Sequence, residues 1–235
     1  MGALRVRIGD LELRLPDADQ LAQLAALAAD GVHDPAQMPF ATPWTDGSAE
    51  QRGRSVLLHA WRTLGRWEPA AWNLPLVVLR RGEVVGVQEV QATNFAPLRE
   101  VITGSWLGLR FHRMGIGTAM RAAVLHLAFA GLGAEYALSG ALADNAASLG
   151  VSRRLGYQPD GIDRVLRRGE PTVMRRLRLS REQWLATPRP DVRIENLTPC
   201  LPLFGLAAPG DAAAAEAAPG TAPAGSPPGG AEPSQ

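Results

Sequence analysis

Leu11, Leu13 and Leu15 alternate with Glu12 and Arg14, the period-2 signature of a half-buried strand, within a strand-like stretch from Leu4 to Leu15. The period then lengthens. Asp17 with Gln20 makes a capping-box pattern ahead of the helical run LAQLAALAA, which Gly31 ends, and Ser48 with Gln51 opens a second helix running towards Gly65. Leu76 to Arg81 and Glu83 to Gln91 are apolar, β-branched runs joined by Arg81 and Gly82, which predicts a hairpin. A further strand is expected from Val101 to Leu109, a helix from Thr118 to Ala130, a strand from Ala134 to Gly140 and a helix from Asn145 to Leu155. Ile162 to Arg168 and Thr172 to Leu179 read as a hairpin around Gly169 and Pro171, and Ser180 with Gln183 caps a short last helix. This order predicts the α/β class: a central mixed sheet with helices on both faces.

From about Ala207 the pattern gives way to Ala, Pro and Gly, a mixture that cannot bury enough apolar surface to offset chain entropy. The expected organisation is one domain over residues 1–199 and a tail over 200–235, disordered from about 207. A hydrophobic content of 46% in 235 residues is enough for a real core. No lysine occurs, which excludes a P-loop nucleotide site and a Schiff-base lysine. The net charge of +1 includes three acids in the last 29 residues, so the body carries about +4, too little to make nucleic acid the expected partner.

Cys200 has no second cysteine to pair with, and it reads as a small hydrophobe in a loop. The opening MGALRVRIGD lacks the apolar core of a secretory signal, and no apolar window reaches membrane-spanning length, so a cytoplasmic protein with no membrane partner is expected. His59 and His126 lie in helical patterns without ligand spacing, so no metal is expected.

Chemistry concentrates where HRMGIGT, His112 to Thr118, follows the strand ending SWLGL and opens a helix. A glycine-paired turn feeding a helix amino terminus offers free N–H groups at the positive end of the helix dipole, a site for phosphate. A dinucleotide-binding turn would want another glycine at Met120 and an acid at the end of the next strand; neither is there.

About thirty residues on come DNAAS and then LGY, and with these the stretch from Leu4 to Leu185 resembles the GNAT N-acetyltransferase superfamily, in particular the branch with ribosomal-protein N-terminal acetyltransferases. The family's turn motif falls on His112, Arg113, Met114, Gly115, Ile116 and Gly117, with histidine in place of the usual Gln or Arg. Asn145, Ser148, Gly156 and Tyr157 match its later positions. The resemblance implies acetyl-CoA as acyl donor, its pyrophosphate on the N–H groups of Arg113 to Thr118 and its pantetheine arm lying like an extra strand against Leu107 to Leu109. Asn145 would bond to the arm, and Arg153 or Arg154 could reach the ribose phosphate.

The implied activity is acetyl transfer to a primary amine, on a protein N-terminus or a small molecule. Transfer needs a neutral nucleophile, a stabilised oxyanion and a proton for the thiolate. A main-chain N–H between Trp106 and Leu109 can serve the oxyanion. Tyr157 and then Ser148 are the candidate acids. The carboxylate that many relatives carry aligns with Ile102, so Glu89, on the neighbouring strand with Val85, Val87 and Gln91, is the first candidate base and Glu100 the second. Phe40 and Trp44, with Met38, His33 and Trp106, would border the acceptor. A succinyl donor, a non-catalytic acyl-CoA sensor or scaffold, a purely structural interaction domain and a homodimer all stay open.

Overall fold

The computed structural model describes residues 1–207, so the expectation of a disordered tail falls outside the described residues. The first stretch is a hairpin, not one strand: β1 (Arg5–Ile8) and β2 (Leu11–Arg14) are joined by a turn at Gly9, whose φ of 54° suits a residue without a Cβ. Then come α1 (Ala18–Asp30), α2 (Ala49–Gly65), β3 (Ala71–Arg80), β4 (Glu83–Thr93), the short α3 (Phe95–Leu98), β5 (Glu100–Leu107), α4 (Ile116–His126) and β6 (Tyr136–Leu142). The chain continues through α5 (Ala146–Leu155), β7 (Gln158–Arg167), β8 (Glu170–Ser180), α6 (Arg181–Leu185) and β9 (Val192–Glu195).

Local chemistry sets most of these boundaries. The capping boxes of Asp17 with Gln20, Ser48 with Gln51 and Ser180 with Gln183 all form, satisfying two otherwise orphan donors at each helix start. The β3–β4 and β7–β8 turns put Arg81/Gly82 and Arg168/Gly169 at positive φ, the tight geometry that matches strand twist.

Among the described residues nine strands form one sheet in the order β7-β8-β6-β5-β4-β3-β2-β1-β9, and every neighbouring pair is antiparallel except β5 and β6. Residues 200–206 belong with the body, because Cys200 and Phe204 are buried and Phe204 packs edge-on against Trp67 and Trp72. Cys200 lies in a short 3-10 helix, Thr198–Phe204, with its thiol on the Asn196 carbonyl.

The β5–β6 pairing positions everything that follows. It holds only for Glu100, Val101 and Ile102, whereas β5 remains paired with β4 through Leu107, so β5 and β6 part and leave one side of residues 103–107 open. The Trp106 carbonyl faces β4, for a Cβ on Gly86 would lie 2.3 Å from it. By strand alternation Thr103, Ser105 and Leu107 turn their N–H and C=O groups to the open side. The edge stops at Leu107. Gly108 donates to Val85 and Leu109 to Gly31, at the start of a 3-10 turn, Leu109–Phe111. The strand expected from Val101 to Leu109 therefore runs from Glu100 to Leu107.

Candidate active site

At the mouth of this fork, Arg113 (φ 61°) and Gly115 (φ 78°) adopt left-handed conformations immediately before α4. Among the described residues, none of the N–H groups of Arg113, Met114, Gly115, Ile116 or Gly117 meets an acceptor; the first bonded amides are Thr118 and Ala119, both on the Gly115 carbonyl. Five free donors in a turn at the positive end of a helix suit a polyanion. His112 does something else: its Nε2 is 3.2 Å from the Leu107 carbonyl, at the outer end of the open edge. Met114 is exposed, with its sulfur near Arg80.

Asn145 caps α5 by accepting from the Ser148 N–H at 3.0 Å, and its amide donates to the Pro39 carbonyl at 3.4 Å. This ties the 33–46 loop to the far side of the fork. Arg168 on Asp46 and Arg167 on Asp144 and the Met38 carbonyl fix the same loop.

Glu89 pairs across the ladder with Gly104, and Ser105 follows Gly104, so Glu89 and the Ser105 side chain lie on opposite faces of the sheet. On the Glu89 face is a 470 Å³ cavity bordered by Phe40, Trp44, Trp106, His59, Arg62 and Glu89. Phe40, Trp44 and Trp106 form a chain of rings with centroids 5.4 and 5.7 Å apart, so the three expected wall residues meet. Met38 is buried, and His33, held by the Asp34 carbonyl and Thr45, packs edge-on behind Phe40 with ring centroids 5.7 Å apart without itself lining the cavity.

The Glu89 carboxylate is bonded at Oε1 to His59 Nε2 (2.6 Å) and at Oε2 to the Asn73 amide (3.3 Å). The bond to Glu89 raises the His59 pKa above its ordinary value against the opposing effect of burial. Glu100 is instead occupied by Arg178 on β8, far along β5 from this cavity.

On the other face, Tyr157 is buried and its hydroxyl lies 3.3 Å from Thr103 Oγ1, which also donates to the Leu138 carbonyl at the point where β5 and β6 part. Burial pushes the phenol pKa up, with Arg121 and Thr103 opposing, so it keeps its proton at neutral pH. Tyr157 therefore sits at the base of the fork, not on the cavity wall. Ser148 is half-buried in the first turn of α5.

A model described as an acetyltransferase (GNAT) domain matches residues 10–158. The chain belongs to the GNAT acetyltransferase family. It is thus a transferase, and its fold agrees with solved GNAT structures. RimL, a ribosomal L7/L12 α-N-protein acetyltransferase solved with coenzyme A, is 19% identical with a TM-score of 0.60, over 75% of this chain and 97% of that one. RimJ of Mycobacterium smegmatis, solved with CoA-disulfide, is 19% identical with a TM-score of 0.63, over 79% and 92%. An acetyltransferase from T. thermophilus is 21% identical, TM-score 0.63, over 77% and 92%. At these identities the likeness carries the fold alone.

Two residues beside this site, His59 and Arg121, are absent from the site residues expected above. His59 gives no local sign of its role, since its partner is thirty residues away on another element. Arg121 does give a sign: it is a lone charge in the apolar helical run TAMRAAVLHLAF, and it proves to be buried.

Proposed function

We propose that this GNAT protein transfers the acetyl group of acetyl-CoA to a primary amine by direct attack, with Glu89 as the base. The observation that carries this reading is the arrangement around β5: free amides at its outer end, an unpaired edge along it, and a carboxylate opposite Gly104 facing an aromatic cavity.

The free amides of Arg113 to Gly117 and the mobile charge of Arg113 take the pyrophosphate. The pantetheine arm follows the open edge of Thr103 to Leu107, bonded also by Asn145, and bound acetyl-CoA supplies an activated acyl carbon. An amine enters between Phe40, Trp44 and Trp106. Glu89 is the one carboxylate among the residues that line this pocket, beside the basic His59 and Arg62, so it is the group there that can take a proton from an entering ammonium.

Glu89 accepts the ammonium proton and His59, which is half exposed, passes it to solvent. N–H groups on the open edge, those of Ser105 and Leu107, donate to the oxyanion. As the C–S bond breaks, Tyr157 gives its proton to the thiolate and is restored through solvent by the second proton that the nitrogen sheds in becoming an amide; Ser148 is the alternative donor.

The test is release of free thiol from acetyl-CoA across a panel of small amines and peptide amino termini, with Glu89→Gln beside the parent protein. At least one amine should turn over, and Glu89→Gln should lower kcat by about 100-fold or more. Unchanged turnover in the variant removes Glu89 from the reaction. If acetyl-CoA raises the melting temperature yet no amine yields product, the chain is an acyl-CoA-binding module instead.

A further inference from the structure

Arg121 of α4 is 5% exposed, and its guanidinium touches no carboxylate among the described residues. Its partners are three neutral hydroxyls: Nη1 donates to Ser152 (3.0 Å) and Ser139 (3.4 Å), and Nη2 donates to Ser105 (3.2 Å). Its Nε is buried with no partner. A buried ion without a counter-ion is costly, and arginine does not escape the cost by losing its proton at neutral pH. Such a charge is tolerable where an anion forms beside it.

The three serines come from β5, β6 and α5, the elements that enclose the fork from this side. Ser105 is the one on the open edge, two residues from the Thr103–Tyr157 contact and next to Trp106 of the acceptor wall. Because Ser105 Oγ accepts from Arg121, its own hydrogen is free to be donated, and among the described residues it meets no acceptor.

The geometry points to Arg121, acting through the Ser105 hydroxyl, as the cation that stabilises the thiolate as it leaves. This rests on the acyl-CoA reading above and adds the group that carries the developing negative charge. Ser105 touches the sulfur, and Arg121 is the positioning residue that polarises it. Tyr157 then delivers the proton to a thiolate that is already stabilised. The titratable and charged groups around the fork are Tyr157 with Arg121 on one side, Glu89 with His59 and Arg62 on the other, and His112 at the outer end of the open edge.

The test compares binding of CoA with that of desulfo-CoA, which has hydrogen in place of the thiol, by calorimetry at pH 6.5 and pH 9. Titrations of the protein affect both ligands and cancel in the ratio of affinities. Lowering a thiol pKa by one unit from about 8.5 should raise that ratio by roughly sevenfold between the two pH values. Arg121→Met should flatten the ratio to less than about twofold, and Arg121→Lys should retain part of the rise. Should Arg121→Met fail to fold, Ser105→Ala decides, since it leaves the cation in place: a reduced ratio supports the proposal and a parental ratio overturns it. A ratio that stays flat in the parent protein, with both ligands bound, overturns the proposal and leaves the acyl-CoA reading intact. Binding of neither ligand overturns that reading, and the proposal with it.

Discussion

His59 Nε2 of α2 lies 2.6 Å from Glu89 Oε1 of β4, joining a helix of one sheet face to the carboxylate that lines the aromatic cavity. Because the bond raises the histidine pKa, the pair's contribution to stability is complete below about pH 6.5 and is lost as the pH rises through the raised folded value. Melting temperature followed from pH 5.5 upward should decline more over this window in the parent protein than in His59→Gln. Equal declines would show that the pair does not couple to folding.

The proposed reaction gives the same bond a rate dependence. There a neutral His59 accepts the proton that Glu89 would take from the amine, so kcat/KM should rise through a pKa above about 6.5, and His59→Gln should move that limb and lower the plateau. An identical limb in the variant assigns it to the amine alone.

Gly104 offers a second handle on the carboxylate, since a Cβ there would lie 3.9 Å from Glu89 Oε2. Gly104→Val suits a strand, so stability should change by less than about 1 kcal/mol. The added methyl groups crowd the place where the proposed reaction brings amine and carboxylate together. The expected result is a kcat/KM reduced by about tenfold or more, measured as thiol release beside a thermal melt; an unaltered kcat/KM would put the amine elsewhere.

Gly86 tests the strand edge itself. A Cβ there would fall 2.3 Å from the Trp106 carbonyl and 2.9 Å from Leu107 Cα, which is backbone that cannot swing aside. Gly86→Ala should cost roughly 2–3 kcal/mol in denaturant unfolding, by the overpacking rule. A loss under about 0.5 kcal/mol would mean that β4 and β5 are less tightly coupled than this.

The parts of this site that are local in sequence were legible, and the parts made by distant pairing were not. The capping boxes, the Arg81/Gly82 turn and the HRMGIGT turn all rest on groups a few residues apart, so spacing alone identifies them. The sequence pattern carries β5 two residues too far, because what ends it is the bonding of Gly108 and Leu109 to Val85 and Gly31. β9 leaves no such pattern: VRIE is too short to show a period, and pairing with β1 makes it a strand. Glu89 stood out as a carboxylate within an apolar strand, but its histidine partner belongs to a helix whose face only the fold determines.

Binding of coenzyme A to the amide turn before α4 is the central claim, and calorimetric titration of coenzyme A into the parent protein and Gly115→Val tests it most directly. Gly115 has a φ of 78° with open space beside it, so valine strains the turn without meeting a neighbour. One coenzyme A per chain should bind saturably, with an affinity at least about tenfold weaker in a folded Gly115→Val. No heat in the parent protein, or equal affinity in the folded variant, would contradict it.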